Sequence, residues 1–125
     1  MKNLLLDSNA LIRYISLSKK FGPKTRKLLD SSNLFFSPLS IFELKFKESR
    51  IAGFTSPLSP KLLAELGFSE LGFVSGAAEN LVRAATKDPF DIMLLTQAKA
   101  HSMHFVTADL EILKSELDFV WDLTD

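Results

Sequence analysis

The chain has 125 residues, nearly half of them hydrophobic, eleven of these Phe, and about a quarter charged. That length and composition suit one compact domain spanning 1–125 and exclude a disordered chain, while two domains would each be too small to stand alone. No cysteine is present, which excludes disulfides, thiolate metal sites and thiol catalysis and suits a reducing cytosol. The apolar run Leu4-Leu5-Leu6 stops at Asp7, far short of a signal peptide or a membrane span, so the expected location is cytoplasmic, with no membrane partner.

The net charge of zero hides an asymmetry. Residues 1 to 50 carry ten Lys/Arg against four Asp/Glu, and residues 51 to 125 carry five against eleven. A neutral total therefore does not exclude a polyanionic partner, because Arg13, Lys19, Lys20, Lys24, Arg26 and Lys27 have the makings of a basic patch. A solvated helical face explains the same residues.

In chain order, the short apolar runs Asn3 to Leu6, Leu34 to Phe36, Leu71 to Val74, His104 to Val106 and Phe119 to Trp121 read as strands. Helical patterns lie between them. Pro23 opens one over Lys24 to Leu29, Ser37-Pro38 starts another toward Ser49, and Ser59-Pro60 repeats the device before Leu62-Leu63. Asp88-Pro89 opens a fourth, with Phe90, Leu94, Ala98 and His101 at helical spacing. Strands alternating with helices, without strict period two, predict an α/β fold: a three-layer α/β/α domain with a mainly parallel sheet of about five strands.

Ligands of an open parallel sheet bind outside the carboxyl ends of its strands. Four acids fall there: Asp7 after the first strand, Glu43 in the helix after the second, Asp91 in the first turn of the Asp88-Pro89 helix, and Asp109 after His104 to Val106. Capping is the competing explanation for Asp7 and Asp109, and Asp91 holds the capping-box position relative to Asp88. Glu43 lies beyond the reach of the first free amides. Its competing role is an exposed pair with Lys47, worth about 0.3 to 0.5 kcal/mol.

Clustered carboxylates repel, and without a cation at least one is driven to take a proton. Oxygen ligands with no Cys and no paired His point to Mg²⁺ or Mn²⁺, one or two ions, and to phosphoester hydrolysis. The elbow, P-loop and dinucleotide-binding signatures are absent, so no nucleotide cofactor is expected. His101, near a helix end, and His104, near a strand start, read as structural.

The residues around the acids form recognisable words. Asp7-Ser8-Asn9-Ala10-Leu11, Ser40-Ile41-Phe42-Glu43, Asp88-Pro89-Phe90-Asp91 with Gln97-Ala98, and Val106-Thr107-Ala108-Asp109 come in an order that resembles the PIN-domain family, in its VapC-like toxin branch. The resemblance covers residues 7 to 109. It implies a metal-dependent endoribonuclease acting on single-stranded or loop RNA, with catalytic and metal-binding Asp7, Glu43, Asp91 and Asp109, and with Asn9 and Thr107 holding water or carboxylate behind them. It also implies a homodimer and a VapB-like antitoxin partner, for which the apolar segment Pro57 to Phe68 offers a groove wall or, equally, core packing.

Two departures stand out. Ile92 occupies a position where many relatives carry Arg, and Phe42 replaces a usual Trp. Arg13, Lys47 and Lys87 are the remaining basic candidates for a phosphate contact. A PIN-like binding module without turnover is the alternative reading, followed by an acidic-pocket phosphatase or receiver domain, although Asp7-Ser8-Asn9 lacks the second acid that a haloacid-type phosphatase needs.

Overall fold

A computed structural model describes residues 1–16 and 20–125, so Lys19 of the expected basic patch lies outside the described residues. The chain opens with β1 (Asn3–Leu6), α1 (Ser8–Ile15), α2 (Pro23–Asp30), β2 (Asn33–Phe36) and α3 (Pro38–Arg50). It continues with α4 (Pro60–Glu65), β3 (Phe68–Glu70), α5 (Ser75–Ala78), α6 (Pro89–Ala100), β4 (His104–Thr107), α7 (Leu110–Leu113) and β5 (Val120–Asp122).

Local chemistry sets these boundaries. Ser37 and Ser59 cap α3 and α4 through bonds to Leu39 N and Leu62 N, and Pro occupies the first helical position of α2, α3, α4 and α6, where a missing N–H costs nothing. Gly67, at φ +93°, turns the end of α4 into β3, a left-handed conformation that a side chain would strain.

The five strands pair in the order β3-β2-β1-β4-β5, every pairing parallel. Successive strand residues face opposite layers, and both layers are dry. Leu4, Leu6, Leu34, Phe36 and Val106 pack with Leu11, Leu29, Leu44 and Leu63 on one side, whereas Leu5 and Phe105 pack with Leu94, Leu95, Ala98 and Ile112 on the other. Burial on both faces explains why the strands read as apolar runs rather than as alternating patterns.

The third expected strand needs correction. Pairing runs over Phe68–Glu70, and Leu71 adds one further bond, its N–H donating to Phe36 O at 2.8 Å, before the chain leaves the sheet at Gly72. β3 is a three-residue edge strand in which only Phe68 is buried, so Ser69 and Glu70 face outward and hide it from a search for apolar runs. In the Pro57 to Phe68 segment, Leu58, Leu63 and Phe68 are buried in the core while Leu66 stays exposed. Among the described residues, no helix is long and apolar enough to cross a membrane.

The strand order fixes where a site can form. From β1 the chain moves outward through β2 to β3, then returns to the other flank of β1 as β4 and continues to β5. The connections thus part company between β1 and β4, and the crevice at their carboxyl ends is the position where such sheets bind ligands.

Candidate active site

Asp7 is the first residue beyond β1 and stays in register, its N–H donating to Val106 O of β4 at 3.2 Å. Its Oδ1 accepts from Ala10 N at 2.8 Å, capping α1, and its Oδ2 accepts from Thr107 Oγ1 at 2.5 Å. Asp109, two residues beyond β4, caps α7 by accepting from Glu111 N and Ile112 N. The capping explanation is therefore true of both acids. It does not exhaust Asp7, because a cap needs no burial and this carboxylate is 6% exposed.

Glu43 is also buried, at 8% exposure, although it lies in mid-helix. Ser8 Oγ donates to its Oε1 at 2.6 Å, tying α3 to α1, and Lys47 Nζ stands 3.4 Å from its Oε2. The expected pair with Lys47 thus coexists with a buried bond that the pairing alone would not require. Asp91, in the first turn of α6, accepts from Thr86 Oγ1 at 3.2 Å, while Asp88 caps the helix through Phe90 N.

These four carboxylates line one cleft of about 450 Å³, together with Ser8, Asn9, Arg13, Lys47, Phe54 and Asp88. Burial pushes the Asp7 carboxyl up from 3.8 to about 6; the bonds from Thr107 and Ala10 pull it back, and the charges of Asp109 and Glu43 push it further. Asp91 also rises to about 6, through burial and then the charge of Asp88, with Thr86 opposing and Asp109 and Asp7 adding to the rise. The acids feel one another across the cleft, as the cluster argument requires.

The remaining candidates divide. Asn9 lines the cleft, Thr107 sits fully buried between Asp7 and the amide of Asp109, and Arg13 reaches Lys20 O from the cleft wall at 3.2 Å. Lys87 is exposed and, unlike Asp88 beside it, does not line the cleft. His101 caps the end of α6 and His104 starts β4, and neither lines the cleft.

Sequence reasoning passed over Ser8, Thr86 and Asp88. Ser8 stood beside Asp7 in plain view, but its partner lies 35 residues away. Thr86 had one local signal: it stands two residues before a helix-capping Asp, as Thr107 does, a spacing at which a hydroxyl accepts from the later amide.

The donor set consists of carboxylate and hydroxyl oxygens, the chemistry that suits a hard divalent ion. Among the described residues, no three Asp, Glu, His or Cys side chains are arranged closely enough to hold an ion as they stand. The donors fit such an ion in kind; the carboxylates line the cleft without closing on its centre.

No curated protein matches the sequence. Solved structures resemble the fold: VapBC2 from Rickettsia felis bound to a promoter DNA fragment, at TM-score 0.60 and 12% identity over 96% of this chain and 98% of that one. DNA-bound VapBC from Salmonella typhimurium gives 0.62 and 18% over 98% and 99%, and FitAB bound to the IR36 DNA fragment gives 0.62 and 17% over 95% and 94%. The family model of the PIN domain matches residues 4–115, a span that holds all four cleft acids and, apart from Asn3, the first four strands of the sheet, and the chain belongs to that family.

Proposed function

We propose that the chain is a metal-dependent endoribonuclease, the toxin of a toxin-antitoxin pair. One observation carries the reading. Four carboxylates from four separate segments line a single cleft at the switch point of the sheet, two of them pushed up to about 6 by burial and by the charges of neighbouring carboxylates. PIN domains are typically nucleases, which supports phosphodiester hydrolysis over the phosphatase and receiver readings.

Asp7, Asp91 and Asp109 would hold Mg²⁺ or Mn²⁺, with Glu43 holding a second ion or orienting water. A bound ion supplies positive charge that offsets the carboxylate repulsion, polarises a phosphoryl oxygen and makes water more acidic. The chain's own residues do the rest. Thr107 and Ala10 fix the Asp7 carboxylate, leaving it little freedom to follow a moving ligand. Ser8 locks one oxygen of Glu43 and Lys47 covers the other. Arg13 and Lys47, both on the cleft wall, would meet phosphate, a contact that gives affinity and salt dependence without sequence choice. Choice of an RNA loop would then rest on shape.

One solved structure of this fold is a toxin-antitoxin complex from Klebsiella pneumoniae, which supports an antitoxin as partner. A homodimer is supported by an exposed apolar patch: the ring of Phe42, 60% exposed, is centred 6.0 Å from that of Phe90 and stacks at 6.5 Å on Phe46, which Arg50 covers. A second reading, a PIN-like binding module without turnover, is favoured by the open arrangement of the acids and by Ile92. Incubation of the purified protein with structured and unstructured RNA in Mg²⁺, Mn²⁺ or EDTA decides between them. Cleavage that EDTA stops supports the nuclease, and RNA binding without cleavage in either metal supports the module.

A further inference from the structure

The segment between α5 and α6 carries no secondary structure over residues 81–88, yet it is tied down at three points. Val82 N donates to Thr96 Oγ1, buried on α6, at 3.0 Å. Ala85 N donates at 2.7 Å to Ser115 Oγ, which lies just past α7, the helix that Asp109 caps. Thr86, 8% exposed, follows directly; its hydroxyl donates to Asp91 Oδ2 and accepts from Asp88 N, each at 3.2 Å.

Among the described residues the same device occurs a second time. Thr107 donates to Asp7 Oδ2 and accepts from Asp109 N, two residues on, and Asp109 then caps a helix as Asp88 does. In both places a threonine is pinned by the amide of a capping aspartate, so that its single proton is directed at a cleft carboxylate belonging to another segment or turn. Pinning matters because a free hydroxyl rotates, and one whose lone pair is already engaged has fewer directions left for its proton.

We infer that Thr86 is the positioning residue of Asp91, and that the segment 82–86 is a strap through which Ser115 and Thr96 hold it there. The inference rests on the proposed nuclease reading only for its consequence in metal binding; the placement of Asp91 is a property of the chain itself. A buried hydroxyl that does no more than fill space would be replaced by valine at no cost to Asp91. A positioning hydroxyl would not.

The test compares Thr86→Val, which keeps the shape and removes the donor, with Thr86→Ser, which keeps the donor. Crystal structures of both variants should show Asp91 leaving its place or splitting between rotamers in the valine protein and unmoved in the serine protein. Calorimetric titration with Mn²⁺ alone should give about 10-fold weaker binding for valine and recovery to within about twofold for serine, the range typical of partners that orient a metal ligand. RNA cleavage should lose kcat with KM unchanged. Should the valine variant fail to fold, Ser115→Ala, which releases the strap at Ala85, should loosen Asp91 in the same measurements. An unmoved Asp91 with undiminished Mn²⁺ affinity in the valine protein overturns the inference. A wild-type protein that binds no Mn²⁺ overturns the proposed function instead, and the position of Asp91 in the two crystals still decides the role of Thr86.

Discussion

Replacing Asp7 by Asn should make the metal-free protein more stable at pH 8 while removing its activity. Burial raises the folded-state pKa of Asp7 from 3.8 to about 6, so between those values the native state binds more protons than the unfolded one. Stability contributed by this group is therefore fully present below about pH 4 and is lost as pH rises through 6. At about 1.4 kcal/mol per pH unit the rise amounts to roughly 3 kcal/mol at pH 8. Asn mimics the neutral acid and avoids that cost. Its oxygen still accepts from Ala10 N, but its amide faces Thr107 Oγ1, whose proton then lacks an acceptor, a loss of about 1 to 2 kcal/mol. The expected net gain is on the order of 1 to 2 kcal/mol at pH 8 in EDTA, shrinking to nothing or reversing near pH 4.5. Urea denaturation of both proteins at the two pH values measures it. An Asn variant less stable than wild type at pH 8, or a difference that ignores pH, would refute the claim that burial governs this carboxylate.

Mg²⁺ at pH 8 should stabilise wild type against urea and leave the Asn variant nearly unchanged, since an ion that binds only the folded state shifts the midpoint by mass action; equal shifts would show binding elsewhere. Ser8→Ala strands a buried carboxylate oxygen of Glu43 and should cost about 1 to 3 kcal/mol in the same assay, against a negligible cost if that oxygen is solvated. Lys47→Met removes a half-exposed ion pair, so stability should change by less than about 1 kcal/mol while RNA binding weakens and its salt slope flattens, seen by fluorescence anisotropy across a salt series. Gly22→Ala should destabilise by about 1 to 3 kcal/mol, because its Cβ would stand 2.1 Å from the carbonyl oxygen of Asp125; an unchanged melting temperature would show that this backbone yields freely.

Much of the fold is legible in the sequence because two devices repeat. Short apolar runs such as Leu34 to Phe36 within β2 mark strands buried on both faces, and Ser-Pro or Asp-Pro pairs mark the starts of α3, α4 and α6. β3 escapes because an edge strand of three residues needs only Phe68 inside. Three of the acids are legible because each follows a strand or opens a helix, and Glu43 because it sits in mid-helix where capping cannot explain it; capping and lining the cleft are not rivals, since Asp7 and Asp109 do both. What residue patterns alone do not supply is the pairing across 35 residues of Ser8 with Glu43; Thr107, which the resemblance named as holding water or carboxylate without pairing it, bonds Asp7 across 100 residues. Lys87 is exposed and does not line the cleft, and its place beside Asp88 along the chain does not by itself say whether it meets a phosphate.

The central claim is that the acidic cleft cuts RNA with a divalent ion. Wild type and Asp7→Asn, each shown to be folded, should be given a labelled RNA carrying single-stranded loops in Mn²⁺ and in EDTA, and the fragments sized. The account predicts discrete cleavage by wild type in Mn²⁺ alone and none by the variant. Cleavage that persists in EDTA, or that the variant performs as well as wild type, would contradict it.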